Sequence, residues 1–233
     1  MYTIYREPYI SFTILITKRR AMQIYTGIAF GTSFVKVKKR ELGIIITPSK
    51  TFKPVKYFRE VPCCLDNGAF TAWRLGYPFQ EDLFKFTMEK CYDLRIKLNF
   101  IVCPDMVAGG IRSLDFSMKW ATGPFLTAHR LALVVQDGMG PVDLTEDILS
   151  HFTHIFIGGT VGWKWDTAEE WATFAKEKGK KLHIGQAGKK EAREKAERIG
   201  ADSIDSTSLI RNASHEFWNL PEDAGNAINT DAQ

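Results

Sequence analysis

Along the 233-residue chain, apolar positions fall into two alternating patterns. Short, wholly apolar or β-branched runs stop abruptly at Gly, Pro, Asp or Gln. Most are followed by stretches whose apolar residues recur three and four apart. The short runs read as buried strands beginning near residues 23, 43, 61, 99, 131, 154, 181 and 202. Phe79 to Leu94, with Leu83, Phe84, Phe86, Met88, Cys91 and Leu94 at helical spacing, reads as a helix. Ser33 to Glu41, Asp143 to Ser150, Thr167 to Lys178 and Lys189 to Ile199 read as further helices, the last two closed by Gly179 and Gly200. Ser113 to Arg130 reads as mostly helical, broken or kinked at Gly123-Pro124.

Eight apolar strands separated mostly by helices predict an α/β domain whose parallel sheet is covered on its outside. Eight is the number that closes a (β/α)8 TIM barrel, here one domain over residues 22–212. Residues 1–21 read as an N-terminal extension and 213–233 as a polar tail. An open doubly wound sheet is the alternative. No GxGxxG follows the first strand, which weighs against a dinucleotide-binding version.

Composition adds boundaries to this picture. At 45% hydrophobic the chain can bury a core of that size. Its formal charge of +4 is compatible with a polyanionic partner without demanding one. Cys63, Cys64, Cys91 and Cys103 lack CxxC spacing and sit in apolar surroundings, so they read as buried free thiols in a reducing cytoplasm. No stretch reaches the roughly 18 apolar residues of a membrane span. Tyr9 to Thr17 is apolar but short, and Lys18-Arg19-Arg20 follows it, the reverse of a signal peptide. A cytoplasmic protein with no membrane partner is the expectation.

The candidate chemistry collects where strands end. In a barrel of this kind the active site lies at the C-terminal ends of the strands. Those ends read Gly27, Pro48, Asp66, Asp105, Gln136, Gly158-Gly159, Gln186 and Asp205. Carboxylates and side-chain amides can bind the edge of a purine-like base, and the backbone amides at Gly159-Thr160 could hold a carbonyl oxygen. Two further carboxylates are what substitution at a sugar C1′ requires, one at the carbon and one on the leaving group. Taken singly, Asp66-Asn67-Gly68 also reads as a plain turn in which Asp66 and Asn67 bond nearby amides.

Five stretches carry a resemblance. Asp66-Asn67-Gly68-Ala69-Phe70, Val135-Gln136-Asp137-Gly138, Ile157-Gly158-Gly159-Thr160-Val161-Gly162, Ile184-Gly185-Gln186-Ala187-Gly188 and Ser203-Ile204-Asp205-Ser206 occur in that order. The ordered set resembles the tRNA-guanine transglycosylase superfamily, and within it the small, DNA-directed, DpdA-like branch of phages and bacterial islands. The resemblance covers about residues 22–212. It implies base exchange: guanine leaves the DNA and a 7-deazaguanine such as preQ0 takes its place. Asp205 matches the family nucleophile at C1′ and Asp66 the general acid/base. Asp105 falls in the strand of the base-recognising aspartate, although Cys103-Pro104-Asp105 departs from the tRNA enzymes' local pattern. Gln136 and the Gly158-Gly159-Thr160 turn match the groups that hold the base edge, and Phe70 the aromatic that stacks near it. The family's zinc site has no counterpart, since no cysteine follows Cys103, so no metal and no cofactor are implied. RNA-binding appendages also have no counterpart. Both departures point to DNA, from which a guanosine is flipped out at a cost of a few kcal/mol.

The remaining residues are less directed. Lys36 to Arg40 and Lys50 to Arg59, with Lys50, Lys53 and Arg211 foremost, are candidate phosphate contacts or simply solvated surface. His129, His151 and His154 read as structural, and His183 is expected to face the helix layer. Trp163 and Trp165 could wall the base pocket, stack on nucleic acid, or form a hydrophobic lid. Two other readings compete: a glycosylase that releases its base to water, and a non-catalytic nucleic-acid-binding barrel.

Overall fold

The computed structural model describes residues 21–51 and 53–211. The expected N-terminal extension and C-terminal tail lie outside the described residues, apart from Ala21. In chain order the elements are β1 (Gln23–Thr26), α1 (Thr32–Lys39), β2 (Gly43–Ile46), a 3-10 turn (Lys56–Glu60), β3 (Cys63–Leu65), α2 (Ala69–Arg74), α3 (Glu81–Asp93), β4 (Leu98–Val102) and α4 (Ile111–Ala121). There follow β5 (Leu131–Val135), a second 3-10 turn (Pro141–Asp143), α5 (Glu146–Ser150), β6 (His154–Ile157), α6 (Val161–Glu177), β7 (Lys181–Ile184), α7 (Lys190–Ile199), β8 (Ser203–Ser206) and α8 (Ser208–Arg211). The eight strands pair in sequence order, all parallel, and β8 closes onto β1. The chain is therefore a single (β/α)8 barrel.

Side-chain alternation along each strand divides the core in two. Ile44, Ile46, Cys63, Leu65, Ile101, Leu133, Ile155, Ile157, Leu182, Ile184 and Ile204 point outward into the layer under the helices. The intervening Tyr25, Ile45, Cys64, Phe100, Val102, Ala132 and Val134 point inward and fill the barrel, with Phe156 packed against them. All four cysteines are free and buried. Burial pushes the Cys63 and Cys91 thiols up to about 12, which leaves them unreactive. No helix among the described residues is long and apolar enough to cross a membrane.

The helices differ from the sequence pattern in several places; α5, expected from Asp143, starts at Glu146, and Asp143 instead ends the second 3-10 turn. Helix α4 ends at Ala121, before Gly123-Pro124, so the proline terminates the helix rather than kinking it. Helix α2 is one and a half turns inserted directly after β3, too short to show a period. Helix α6 starts at Val161, six residues ahead of Thr167. Its early start is anchored by Asp137, whose carboxylate accepts the Thr160 backbone N–H at 2.7 Å and the Thr160 hydroxyl at 2.5 Å. A negative charge at that end suits the helix dipole.

Candidate active site

The inward alternation continues past the ends of the strands and delivers polar groups to one mouth. Thr47 lies two residues beyond Ile45, Asp66 two beyond Cys64, Gln136 two beyond Val134, and Asp205 two beyond Ser203. Asp66, Gln136 and Asp205 are thus brought together above the filled barrel interior, and Asp105, on the loop after β4, joins them through Gln136.

Asp105 is buried, and both of its oxygens are engaged. Oδ1 accepts from Asn67 Nδ2 at 2.6 Å and Oδ2 accepts from Gln136 Nε2. The loop that carries it is held from three sides: Asn67 Nδ2 also donates to Cys103 O at 2.8 Å, Ser117 Oγ to Pro104 O at 2.9 Å, and Met106 N–H to Ser113 Oγ at 3.0 Å. Asn67 Oδ1 meanwhile accepts the Ala69 N–H at 2.8 Å, so the turn reading of this residue holds alongside its role in the site. Gln136 turns its amine to Asp105. Its Oε1 is left buried without a hydrogen-bond partner among the described residues. A donor from a ligand would satisfy that acceptor.

Asp66 accepts from Thr47 Oγ1 at 3.2 Å. Burial raises its carboxyl to about 6, the Asp205 charge adding to the rise while bonds from Thr47, Gly68 and Asn67 oppose it. Burial likewise raises Asp105 to about 7; bonds from Asn67 and Gln136 oppose the rise and the Asp66 charge adds to it. Asp205 is 7% exposed. Its Oδ1 accepts the Gln186 N–H at 3.1 Å and lies 3.2 Å from His183 Nε2. His183 Nδ1 lies 2.8 Å from Ser203 Oγ. With a carboxylate on one side, His183 donates from Nε2 to Asp205, and its Nδ1 shares a hydrogen bond with the serine hydroxyl. Oδ2 of Asp205 has no hydrogen-bond partner among the described residues.

The two raised carboxyls set a pH dependence of stability. Both exceed the ordinary value of 3.8, so the folded protein holds protons that the unfolded chain has already released. The contribution is present at low pH and is lost as pH rises through about 6 and then 7. Asp105→Asn removes the larger share. The introduced amide still accepts from Asn67, and Gln136 can rotate to give its orphan oxygen a donor. Thermal melts should therefore show a Tm a few degrees above wild type at pH 8 and little difference at pH 5. A variant melting lower than wild type at pH 8 would contradict this account of the site.

Other expected residues divide. Phe70 opens α2 on the rim and is 45% exposed, its ring 5.9 Å from that of Trp73. Gly158 spends its N–H on Val135 O at 2.9 Å, so its contribution is space: an added Cβ would stand 2.9 Å from Val134 Cγ1. Gly159 has a left-handed φ of 71°, and a Cβ there would stand 2.5 Å from Asp137 Oδ2. Thr160 is a correction: Asp137 takes both its N–H and its hydroxyl, so neither is free to hold a base. His183 is a second correction. Leu182 and Ile184 face the helices, so alternation turns His183 into the barrel and onto Asp205. Lys36 to Arg40 form the last turn of α1 and its exit, at the rim opposite the acids, where Lys38 pairs with Glu60 at 2.6 Å. Lys50 is exposed on the loop after β2. Lys53 stands 5.7 Å from the Phe86 ring centroid on α3. The side chain of Arg211 lies outside what the structure describes.

Trp163 and Trp165 belong to α6 and pack partly buried against the core. Between them Lys164 is buried and donates to the Gly185 carbonyl. Burial lowers its pKa, while the charges of Asp205 and Asp137 oppose the shift. Sequence reasoning missed Lys164, His183, Ser113 and Ser117. A lysine flanked by two tryptophans, and two serines four apart on the inward face of a helix, were the available signals. His154 is buried and its pKa is lowered to about 3 by burial and by nearby His183, which fits a structural role. Among the described residues no group of three or more His, Cys, Asp or Glu is arranged to hold a metal ion. No family model matches the chain, and a search of curated proteins gives no significant match.

Proposed function

We propose that the protein exchanges guanine in DNA for a 7-deazaguanine such as preQ0, through a covalent bond between Asp205 and C1′ of the sugar. A carboxylate oxygen of Asp205 attacks C1′ as the bond from C1′ to the base breaks, and Asp66 gives the departing guanine a proton. The incoming base then attacks C1′ from the vacated side, Asp66 takes its proton, and the bond to Asp205 breaks. Two displacements retain the configuration at C1′.

The observation that carries this reading is the pairing at one mouth of two electrostatically coupled carboxylates of unlike surroundings. Asp66 has its carboxyl raised to about 6, where it can both give and take a proton near neutrality, and Asp205 has one oxygen pinned and the other without a hydrogen-bond partner among the described residues. Beside them, the orphan Gln136 oxygen and Asp105 offer acceptors to the ring N–H and amine that a guanine edge presents. The Phe70 ring is available on the rim for stacking.

DNA carrying radiolabelled guanine, incubated with the protein and preQ0, tests the reading. Label should appear as free guanine beyond one equivalent of protein only when preQ0 is present, with preQ0 entering the DNA as turnover proceeds. Release beyond one equivalent in the absence of any incoming base would identify a hydrolytic glycosylase instead. No release under either condition would leave a binding protein.

A further inference from the structure

Among the described residues twelve large hydrophobic side chains are exposed. Ten lie on the connections that follow four consecutive strands, β3 to β6, and eight of those ten precede α3 or lie from the strand end to the first α-helical residue of the next three connections. Phe70, Trp73, Leu75 and Tyr77 come from the first connection and Met106 and Ile111 from the second; a valine from each of the next two completes the arc. Trp73 is 53% and Tyr77 62% exposed. The Phe70 and Trp73 rings lie 32° from parallel. Scattered apolar residues need no explanation, but an arc around the mouth of a site does.

Charge says what covers it. Residues 67–80 and 106–114, which carry most of the arc, contain Arg74 and Arg112 and no carboxylate. Both arginines are exposed, as are Lys50 and Lys189 on neighbouring connections. None of the four makes a salt bridge among the described residues. Flat rings interleaved with unpaired cations match a polynucleotide whose base faces are open. A duplex offers no such faces except at its ends. Asp66 and Asp205 open through this same rim, so whatever sits on the arc sits across the route to the acids. A protein docked there would shut it, whereas the flanks of a substrate strand would not.

We propose that the arc is a stacking platform for an unpaired DNA strand, and that the guanosine is taken from single-stranded rather than duplex DNA. The proposal rests on the base-exchange reading for what happens to the strand once bound. An already unpaired strand also avoids the unpairing cost of a few kcal/mol that flipping from a duplex incurs.

Fluorescence anisotropy at one fixed salt concentration tests it, using a short end-labelled oligonucleotide alone and annealed to its complement. The single strand should bind about tenfold or more tighter than the duplex. Trp73→Ala should weaken single-strand binding by about tenfold, and Tyr77→Ala severalfold, since each stacked base contributes on that scale. Both side chains are more than half exposed, and circular dichroism verifies the fold of each variant. Duplex binding as tight as single-strand binding, or single-strand affinity untouched by Trp73→Ala, would overturn the platform. So would self-association that Trp73→Ala abolishes in a protein that binds no oligonucleotide, because the arc would then belong to a second copy. Guanine release, scored separately, keeps the two proposals apart. Tight single-strand binding without exchange on any DNA leaves the platform and removes the enzyme. Exchange on duplex DNA at the same rate with and without Trp73 leaves the enzyme and removes the platform.

Discussion

Asp205→Asn is expected to abolish base exchange, with a loss of about four orders of magnitude or more, while DNA binding stays within severalfold of wild type. The substituted amide keeps an oxygen where Asp205 Oδ1 accepts from Gln186, so the loop after β7 retains its anchor. What disappears is the anionic oxygen that we propose attacks C1′. Denaturing gels of wild-type protein with labelled DNA in the absence of an incoming base should show a covalent adduct, and the variant should show none. A covalent adduct that persists in the variant would assign the nucleophile elsewhere. The same substitution has a second readout that does not depend on turnover. The Asp205 charge helps to raise Asp66, so removing it should lower the Asp66 pKa from about 6, measurable by carboxyl NMR titration. An unmoved pKa would mean that the two groups are not coupled across the mouth.

Asp66→Asn should cost about 100- to 10,000-fold in exchange and, more tellingly, should flatten the pH profile. Departure of guanine needs Asp66 protonated, so kcat/KM for DNA should fall about tenfold per pH unit above about 6. Entry of the new base needs Asp66 ionised, and in the covalent intermediate Asp205 is an uncharged ester that no longer raises Asp66, so kcat/KM for that base should fall on the acid side of a pKa lower than that of the free protein. Opposite limbs for the two substrates, the second displaced to lower pH and both lost in the variant, form a signature that a merely structural carboxylate would not produce. Steady-state measurements from pH 5 to 8 decide it. Limbs that survive Asp66→Asn would move the proton-transfer role to another group, with Asp105 at about 7 the first to examine.

The strands were legible in the sequence because each is short, apolar and cut off by a residue that cannot continue it. Ile44-Ile45-Ile46 before Pro48 and Leu131 to Val135 before Gln136 left little choice. Closure into a barrel followed from their number, and the polar residues at their ends located the mouth. What could not be read was which partner each polar group would choose. Thr160 looks like a donor for a ligand until Asp137, 23 residues earlier, folds against it. The start of α6 was hidden for the same reason: Gly162 and the Trp163-Lys164-Trp165 run show no helical period, and the cap comes from another loop. His183 was misassigned although alternation from Ile184 already implied the inward face. Its pairing with Asp205 depends on two strands being neighbours, which no local pattern encodes.

The aromatic and aliphatic filling beneath the acids has a kinetic corollary. Tyr25, Phe100, His183 and Val134 are buried in the barrel interior beneath the acids, so the mouth at the strand ends is the side from which a base reaches Asp66 and Asp205. In the proposed double displacement the departing and the arriving base use one face of C1′ in turn, so the first product leaves before the second reactant arrives.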